Sequence, residues 1–398
     1  MHKKDIVIVV PIYKAQLNIT EQRSLEQLYR VLKDYNIVFV APKRMRDYCN
    51  RQRYSVVYYD DRFFKSTATY SELLVSDAFY SKFAEYEYML IYQLDAYVFK
   101  DELLDFCELD YDYIGAPVPR TLGKWGLVKA RVGNGGLSLR KISSVRRMIA
   151  NIADICEESG FRELFYNNED LFFGYCGARP NIDFSVPEIK TAIKFAVDED
   201  VCHIFQRLNN GLSDLPFGCH GWSRKIVYNV WSKFIAEENE VELNDYFRNI
   251  TGPSYREVQW HRLSEYILLR YKKYNFVRLV DLCNKYLEPT HSYVMWGAGE
   301  YGVILYSLLT EIGYNIKKVF DIKPKEIKLN GVEITEPDLD YLIRTDCSIV
   351  ITPIYYDNEI RCKLLSNGIL ENRVFTYRKL LNIIISDYVG SFILCNRK

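Results

Sequence analysis

The chain has 398 residues, with 52 basic and 52 acidic side chains and a hydrophobic fraction of 48%. This length predicts two domains, each large enough to bury a core. The zero formal net charge excludes a global field that would attract nucleic acid or an anionic membrane, and the ten cysteines form no CxxC pair that would indicate a zinc cluster. We therefore expect a cytoplasmic protein without a nucleic-acid partner, whose contact with the inner face of the membrane would be peripheral.

The first 60 residues alternate between apolar runs and a helical pattern. Residues 5–10 are a continuous β-branched run that Pro11 ends, and residues 36–42 form a second run of the same kind. Between them, residues 21–33 place leucines at helical spacing, and a third short strand is expected at 55–59. Strand, helix and strand in this order predict a βα unit of a mostly parallel sheet.

The stretch 86–99, YEYMLIYQLDAYVF, follows a predicted helix at 70–84 and contains one carboxylate in an apolar run. It is typical of a central strand that ends near Gln93, with Asp95 just beyond it. Ligands of open α/β sheets bind beyond the carboxyl ends of the strands. We therefore expect Gln93 and Asp95 to line a ligand site.

Four further residues lie near the ends of the first and third predicted strands or in the segment that follows the third strand. The end of the first strand and the end of the third face one crevice. We expect a donor nucleotide to contact residues there, namely Pro11, Tyr13, Asp60 and Tyr70.

Residues 113–141 are rich in glycine and proline, and the cluster GNGG includes Gly135 and Gly136. Glycine lets the backbone approach a ligand closely, so both glycines are predicted to contact the donor. The motif GLSLR that follows predicts a short strand, and residues 143–157 predict a helix. Together these features indicate loops that surround a site at the sheet edge.

An acidic pair and a histidine follow in the next hundred residues. Glu169 and Asp170 begin the aromatic segment EDLFFGYC, and His220 lies in the glycine-flanked motif PFGCHGW. Between them, the segment AIKFAVDED at 192–200 is expected to be extended. Carboxylates and an imidazole on late loops are suited to metal binding and to general base catalysis.

The last 170 residues contain helical patterns up to about 290 and then a second α/β pattern that begins at Tyr293. The motif GAGEYG follows a strand and precedes a helix, and an acid closes the next strand 24 residues after the first glycine. This spacing is typical of a small nucleotide-binding fold. The predicted contacts are Gly297, Gly299, Gly302 and Asp321.

Five motifs in the first 225 residues resemble a glycosyltransferase-like family that is catalogued as a domain of unknown function and is itself similar to the GT-A fold. They occur in the order YEYMLIYQLDAYVF, DYDYIGAP, VGNGGLSLRK, EDLFF and PFGCHGW. The resemblance implies a nucleotide-sugar donor and a glycan or glycolipid acceptor from the synthesis of a surface polysaccharide. It also implies that Asp95 binds metal or diphosphate and that His220 completes the metal site. Asp170 would be the catalytic base of an inverting reaction, with Glu169 beside it.

The resemblance to GT-A enzymes is incomplete at their DxD motif. Only Asp95 is acidic here, whichever end of the motif is aligned. A cofactor of Mn²⁺ or Mg²⁺ is implied, although one carboxylate and one imidazole make a weaker site than three ligands. A metal-independent transferase that uses cations such as Lys65 or Arg131 is the alternative.

The fold class expected from all these patterns is α/β. Residues 1–232 would form a GT-A-like domain with a mixed, mostly parallel sheet and flanking helices, residues 233–290 a helical connector, and residues 291–398 a small Rossmann-like domain. The last domain resembles those appended to bacterial polysaccharide-biosynthesis enzymes, which implies nucleotide-sugar binding or a structural role. Two other functions are kept open: a non-catalytic sensor of nucleotide sugars and, least favoured, an NAD-dependent oxidoreductase built on GAGEYG.

Overall fold

The computed structural model describes residues 1–118, 123–198, 215–235, 241–249, 255–322, 328–329 and 331–395. The chain divides into two compact units, Met1–Glu257 and Val258–Lys398. The strands of the first unit are β1 (Ile6–Pro11), β2 (Asn36–Pro42), β3 (Val56–Tyr59), β4 (Tyr88–Tyr92), β5 (Ala96–Val98), β6 (Tyr113–Ile114), β7 (Ala116–Pro117), β8 (Val132–Gly133), β9 (Leu137–Lys141), β10 (Ala196–Val197) and β11 (Gly218–His220).

Helices flank these strands. In chain order they are α1 (Ile19–Val31), α2 (Arg46–Gln52), α3 (Thr67–Leu74), α4 (Asp77–Tyr80), α5 (Leu103–Glu108), α6 (Gly123–Val128), α7 (Ile142–Ala150), α8 (Ile152–Ser159), α9 (Arg162–Asn167), α10 (Glu169–Gly177), α11 (Ile189–Phe195), α12 (Lys225–Ile235) and α13 (Val241–Asn249).

The main sheet of the first unit is mixed and mostly parallel, as predicted. Its order is β3-β2-β1-β4-β9-β6, and β9 runs antiparallel to both of its neighbours. All residues of β1 and β4 are buried, which explains their unbroken apolar sequences. The strand order reverses at β1, because β2 and β4 lie on opposite sides of it. A crevice at the carboxyl ends of β1 and β4 is therefore the expected ligand site.

A smaller sheet places the residues that follow β4. Its order is β10-β11-β5, and β5 pairs antiparallel with β11 so that Ala96 lies opposite His220. The backbone N–H of Gly221 donates a hydrogen bond of 2.9 Å to the carbonyl of Asp95. This pairing brings His220 on β11 next to Asp95, which lies 125 positions away in sequence in the turn before β5.

Three predicted elements differ from the structure. The helix predicted at 70–84 is interrupted between α3 and α4, where the hydroxyl of Ser76 donates to the carbonyl of Leu73. The helix predicted at 143–157 breaks at Asn151, whose side-chain amide donates to the carbonyl of Arg147. The segment expected to be extended from 192 onward begins as helix α11, because its apolar residues are buried at helical spacing.

The second unit is also an α/β structure. Its strands are β12 (Ser292–Trp296), β13 (Asn315–Phe320), β14 (Lys328–Leu329), β15 (Val332–Thr335), β16 (Ser348–Ile351) and β17 (Val374–Thr376). Its helices are α14 (Tyr255–Tyr274), which begins three residues before the unit boundary, α15 (Phe276–Tyr286), α16 (Glu300–Ile312), α17 (Leu339–Arg344), α18 (Asp357–Ser366) and α19 (Tyr377–Cys395).

The sheet of the second unit has the order β14-β15-β13-β12-β16-β17, and only β14 is antiparallel to its neighbour. Alternate residues of β12 enter two different cores, with Tyr293 and Met295 on one face and Val294 and Trp296 on the other. The first of these cores also contains residues of α14 and α15, which the sequence assigns to a connector. No helix of the described chain is both long and apolar enough to cross a bilayer.

Candidate active site

Four charged side chains meet at the carboxyl end of β4. His220 Nε2 lies 3.0 Å from Asp95 Oδ1, and His220 Nδ1 lies 3.6 Å from Asp198 Oδ1. Arg224 lies 3.9 Å from Asp95 and 3.8 Å from Asp198. We call these four residues the strand-end cluster. Asp95 follows β4 directly, and the cluster adds a second carboxylate and a cation to the predicted Asp95 and His220.

The protonation states of the strand-end cluster follow from its geometry. Burial would lower the pKa of His220, but Asp95 and Asp198 raise it to about 10, so the imidazole is protonated at neutral pH. Burial would raise the pKa of Asp95, but the charges of His220 and Arg224 outweigh it and lower the value to about 2. The pKa of Asp198 is lowered for the same reasons. Two negative and two positive charges therefore cancel.

A divalent metal would have one oxygen and one nitrogen donor in this cluster. Within the described part of the chain, neither ring nitrogen of His220 makes a hydrogen bond of good geometry, although both are buried. Asp95 faces Nε2 and Asp198 faces Nδ1, so the two carboxylates approach different edges of the ring. Consistent with this, the described residues contain no set of three or more Asp, Glu, His or Cys side chains placed to hold a metal. Asp95 and His220 could serve as a pair of ligands once the imidazole has released the proton of Nε2, with Asp198 orienting the ring from its other nitrogen, and metal binding by them stays a prediction.

Residues 134–136, which we call the glycine turn, connect the strand-end cluster to the acidic pair. Asn134 has a left-handed backbone with φ of 68°, and its side-chain amide donates to Asp198 while its oxygen accepts from the N–H of Gly136 at 3.0 Å. A Cβ atom on Gly136 would lie 2.0 Å from His220 Nε2. The glycine therefore makes room for the histidine. Donor contact by Gly135 and Gly136 stays a prediction.

Asp170 lies on the other side of the glycine turn. Its carboxylate accepts hydrogen bonds from the backbone N–H of Leu171 at 2.8 Å and of Gly135 at 3.3 Å. Burial raises its pKa to about 6, and the negative charge of Glu169 contributes to the shift while Lys124 opposes it. A carboxylate with this pKa is ionised at neutral pH and still basic enough to accept a proton.

Glu169 has a different environment from its neighbour. Both of its carboxylate oxygens are bound by protein donors, Oε1 by Arg140 at 3.0 Å and Oε2 by the Ser71 hydroxyl at 2.8 Å. Its side chain is almost completely buried. The two neighbouring acids therefore differ: the carboxylate of Asp170 lies at the glycine turn, and the carboxylate of Glu169 is buried against Arg140.

Three residues predicted to contact the donor, Pro11, Tyr13 and Gln93, differ in their exposure and in their contacts. Pro11 ends β1 at the crevice, and Tyr13, which follows it, is half exposed. Burial of part of the Tyr13 side chain raises its pKa, and the charge of Asp95 is among the further contributions. Gln93 donates its backbone N–H to the carbonyl of Gly136 at 2.8 Å and so ties β4 to the glycine turn.

The structure does not bring Asp60 together with the other residues that were predicted to contact the donor. It is exposed, and its carboxylate caps a short helix by accepting from the N–H of Arg62 at 3.1 Å. Tyr70 does lie near the acidic pair, because the hydroxyl of the adjacent Ser71 donates to Glu169, and burial and then the charge of Glu169 raise the pKa of Tyr70. Its hydroxyl is buried without a hydrogen-bond partner among the described residues. Lys65 and Arg131, the predicted alternative cations, are exposed.

Sequence reasoning missed Asp198, Arg224, Asn134 and Arg140. Asp198 follows the apolar segment AIKFAV, which is the same signal that identified Asp95. Arg140 is a cation inside a short buried strand, and such a residue requires a partner. Asn134 and Arg224 had no comparable signal, because only the tertiary structure brings them to the acids.

The glycine-rich loop of the second unit lies between β12 and α16, as predicted. Gly297 has φ of 112°, and a Cβ atom on Gly302 would lie 2.1 Å from the carbonyl oxygen of Gly297, so both positions require glycine. Asp321 accepts a hydrogen bond of 2.7 Å from the N–H of Ala298, and a cleft of about 180 Å³ lies beside it. One loop amide that could bind a phosphate is thus already bound, and nucleotide contact by Gly297, Gly299, Gly302 and Asp321 stays a prediction.

Residues 53–220, which include most of the site, match a family model described as "Protein of unknown function (DUF5672)". No curated protein matches the chain. Among solved structures, the apo form of mouse xyloside xylosyltransferase 1 is 15% identical and covers 54% of this chain and 97% of its own, with a TM-score of 0.39. The apo form of the glycosyltransferase GlyE of Streptococcus pneumoniae TIGR4 is 11% identical and covers 91% and 99%, with a TM-score of 0.37. Likenesses at this level assign neither an activity nor a substrate to this chain.

Proposed function

We propose that the first unit is a glycosyltransferase that moves a sugar from a nucleotide-sugar donor to a hydroxyl group of a glycan or glycolipid acceptor. The observation that carries this proposal is the glycine turn, which contacts a carboxylate of raised pKa on one side and the strand-end cluster on the other. Inverting sugar transfer requires these two elements close together: a base for the acceptor hydroxyl and a polar site for the leaving diphosphate. The order of the five sequence motifs supports the same assignment.

Asp170 is the base in this mechanism. Its carboxylate takes the proton of the acceptor hydroxyl while the hydroxyl oxygen forms a bond to the anomeric carbon. The bond from that carbon to the diphosphate breaks, and its electron pair leaves with the diphosphate. Direct displacement of this kind inverts the configuration at the anomeric carbon. At neutral pH the base is ionised, because its pKa is about 6.

The strand-end cluster receives the diphosphate. Arg224 and the protonated His220 are its cations, and their charges are balanced by Asp95 and Asp198. A Mn²⁺ or Mg²⁺ ion held by Asp95 and His220 would replace the proton of the imidazole and add one net positive charge, which this balanced cluster lacks. The acceptor, a precursor of a surface polysaccharide or glycolipid at the inner face of the membrane, and the donor-contact roles of Tyr13 and Gln93 belong to the same proposal.

A ligand panel followed by a turnover assay tests the proposal. Thermal-shift measurements with nucleoside diphosphates, nucleotide sugars and NAD(H), each with and without Mn²⁺, identify the ligand, and donor hydrolysis is then measured on each hit. We expect Asp170→Asn to abolish turnover while donor binding persists. Asp154→Asn, an exposed carboxylate on α8, is the matched control and should behave as wild type. Donor binding without any turnover would favour a nucleotide-sugar sensor, and stabilisation by NAD(H) alone would favour the oxidoreductase.

A further inference from the structure

Arg140 on β9 is fully buried, with a side-chain exposure of 0%. Its guanidinium donates to the hydroxyl of Tyr80 at 2.7 Å, to the hydroxyl of Ser138 at 3.0 Å and to Glu169 Oε1 at 3.0 Å. A buried charge is costly unless it is paired and hydrogen-bonded. Two hydroxyl groups and one carboxylate thus bind the guanidinium of Arg140 beside the candidate site.

The partner of Arg140 is equally confined. Glu169 has a side-chain exposure of 7%, and its second oxygen accepts from the Ser71 hydroxyl on α3. Both carboxylate oxygens of Glu169 are therefore bound by protein donors in a side chain that is nearly buried. Its position at the first residue of α10 places Asp170 immediately after it in the chain.

Gly135 links this ion pair to the base. Arg140 Nη2 lies 3.4 Å from the carbonyl oxygen of Gly135, while the N–H of Gly135 donates to Asp170 at 3.3 Å. A Cβ atom on Gly135 would lie 2.1 Å from Glu169 Oε1. Gly135 is therefore held at its carbonyl by the arginine and at its N–H by the base, with the glutamate against its Cα.

We infer that Arg140 and Glu169 act through Gly135 as a clamp that fixes the carboxylate of Asp170 against the glycine turn. Both are positioning residues, since neither touches the reacting atoms. The inference rests on the proposed function, in which Asp170 is the base. It divides the acidic pair into a base, Asp170, and a structural counter-ion, Glu169.

A role in stability alone makes a different prediction. Apolar residues of similar volume often replace a buried ion pair without loss of stability, whereas removal of one partner leaves an uncompensated charge. A clamp needs the planar fork of arginine, which can bind two acceptors at fixed angles and which lysine cannot reproduce. The double variant R140M/E169M and the single variant R140K therefore separate the two roles, and R140M alone is expected to fold poorly.

Steady-state kinetics give the first readout. We expect R140M/E169M and R140K to fold, to keep the KM for the donor within about twofold and to lose about 10- to 100-fold in kcat, because a misplaced base slows only the chemical step. R147M, which removes one partner of the exposed Arg147–Asp183 ion pair, is the control and should leave both constants unchanged. Wild-type kcat in both folded clamp variants would overturn the inference.

The amide resonance of Gly135 gives a readout that does not need turnover. In ¹⁵N-glycine-labelled protein this resonance should titrate with a midpoint near pH 6, and its titration should vanish in D170N, which identifies it. In R140M/E169M we expect the titration to be lost or strongly reduced, and an unchanged titration there would refute the clamp. If the wild type turns over no donor but the amide behaves as expected, the proposed function fails and the clamp stands.

Discussion

Replacement of Asp170 by asparagine should make the protein more stable and inactive at the same time. The pKa of Asp170 is raised from 3.8 to about 6 by burial and by the charge of Glu169, and among the described residues Lys124 and Tyr113 also face it. Between these two values the folded state binds a proton that the unfolded state has already released. The free energy of unfolding that Asp170 controls therefore falls as pH rises from about 4 to about 6, and it stays low above that range.

The size of this effect follows from the pKa. At about 1.4 kcal/mol per pKa unit, the difference between 3.8 and about 6 corresponds to about 3 kcal/mol of stability lost on ionisation. Asparagine avoids this cost, but its amide accepts one of the two backbone N–H bonds less well, which costs about 1 kcal/mol. We expect D170N to be about 2 kcal/mol more stable than wild type at pH 8, and the two proteins to be similar at pH 4.

Urea unfolding of the wild type and of D170N across this pH range measures the difference directly. Taking the difference removes the contributions of groups that both proteins share, such as His220. Asp154→Asn should change stability by less than about 0.5 kcal/mol at every pH, because this side chain is exposed. A D170N protein that is no more stable than wild type at pH 8, or a difference that does not vary with pH, would refute the reasoning.

Three further predictions concern the glycine turn, the ion pair and the metal. Gly135→Ala should destabilise the protein by several kcal/mol in thermal unfolding, because the new Cβ would lie 2.1 Å from Glu169 Oε1. The control is Gly390→Ala in α19, where the new Cβ has no neighbour within 4 Å. This control should stabilise the protein by about 0.5–1 kcal/mol, because alanine favours a helix more than glycine does. Arg140→Met should cost about 3–5 kcal/mol in urea unfolding, and the second change, E169M, should recover most of that loss; no recovery would argue against the buried pair. In the presence of a nucleoside diphosphate, the wild type should bind Mn²⁺ in electron paramagnetic resonance titrations. The variant H220Q should bind Mn²⁺ at least about tenfold more weakly. Equal binding by the two proteins would show that the imidazole is not a ligand.

Local sequence patterns were sufficient for the framework of this protein. The run at 36–42 is a strand with the predicted bounds, and the helical pattern expected before residue 290 contains the helices α14 and α15. Such segments are predictable because burial on both faces of a sheet, or on one face of a helix, imposes its own periodicity. The breaks at Ser76 and Asn151 were not predicted, because each depends on one side-chain hydrogen bond that competes with the helix.

The candidate site shows the same division more sharply. Asp95, Asp170 and His220 could be named from strand ends, an acidic pair and a glycine-flanked loop, all of which are local signals. The sequence could not show that Asp198 contacts His220, 22 positions away, or that Arg140 contacts Glu169, 29 positions away. Both contacts are made through strand pairing and burial.

By itself, the sequence determined that the chain is α/β, that one strand presents a carboxylate at its end and that a glycine cluster precedes an acidic pair. The tertiary structure alone decided the role of each acid. It buried Glu169 against Arg140 and placed Asp170 at the backbone N–H of Gly135. The physical reason is that the chemistry of a carboxylate depends on its solvation and on the charges around it, and these are set by segments that are distant in sequence.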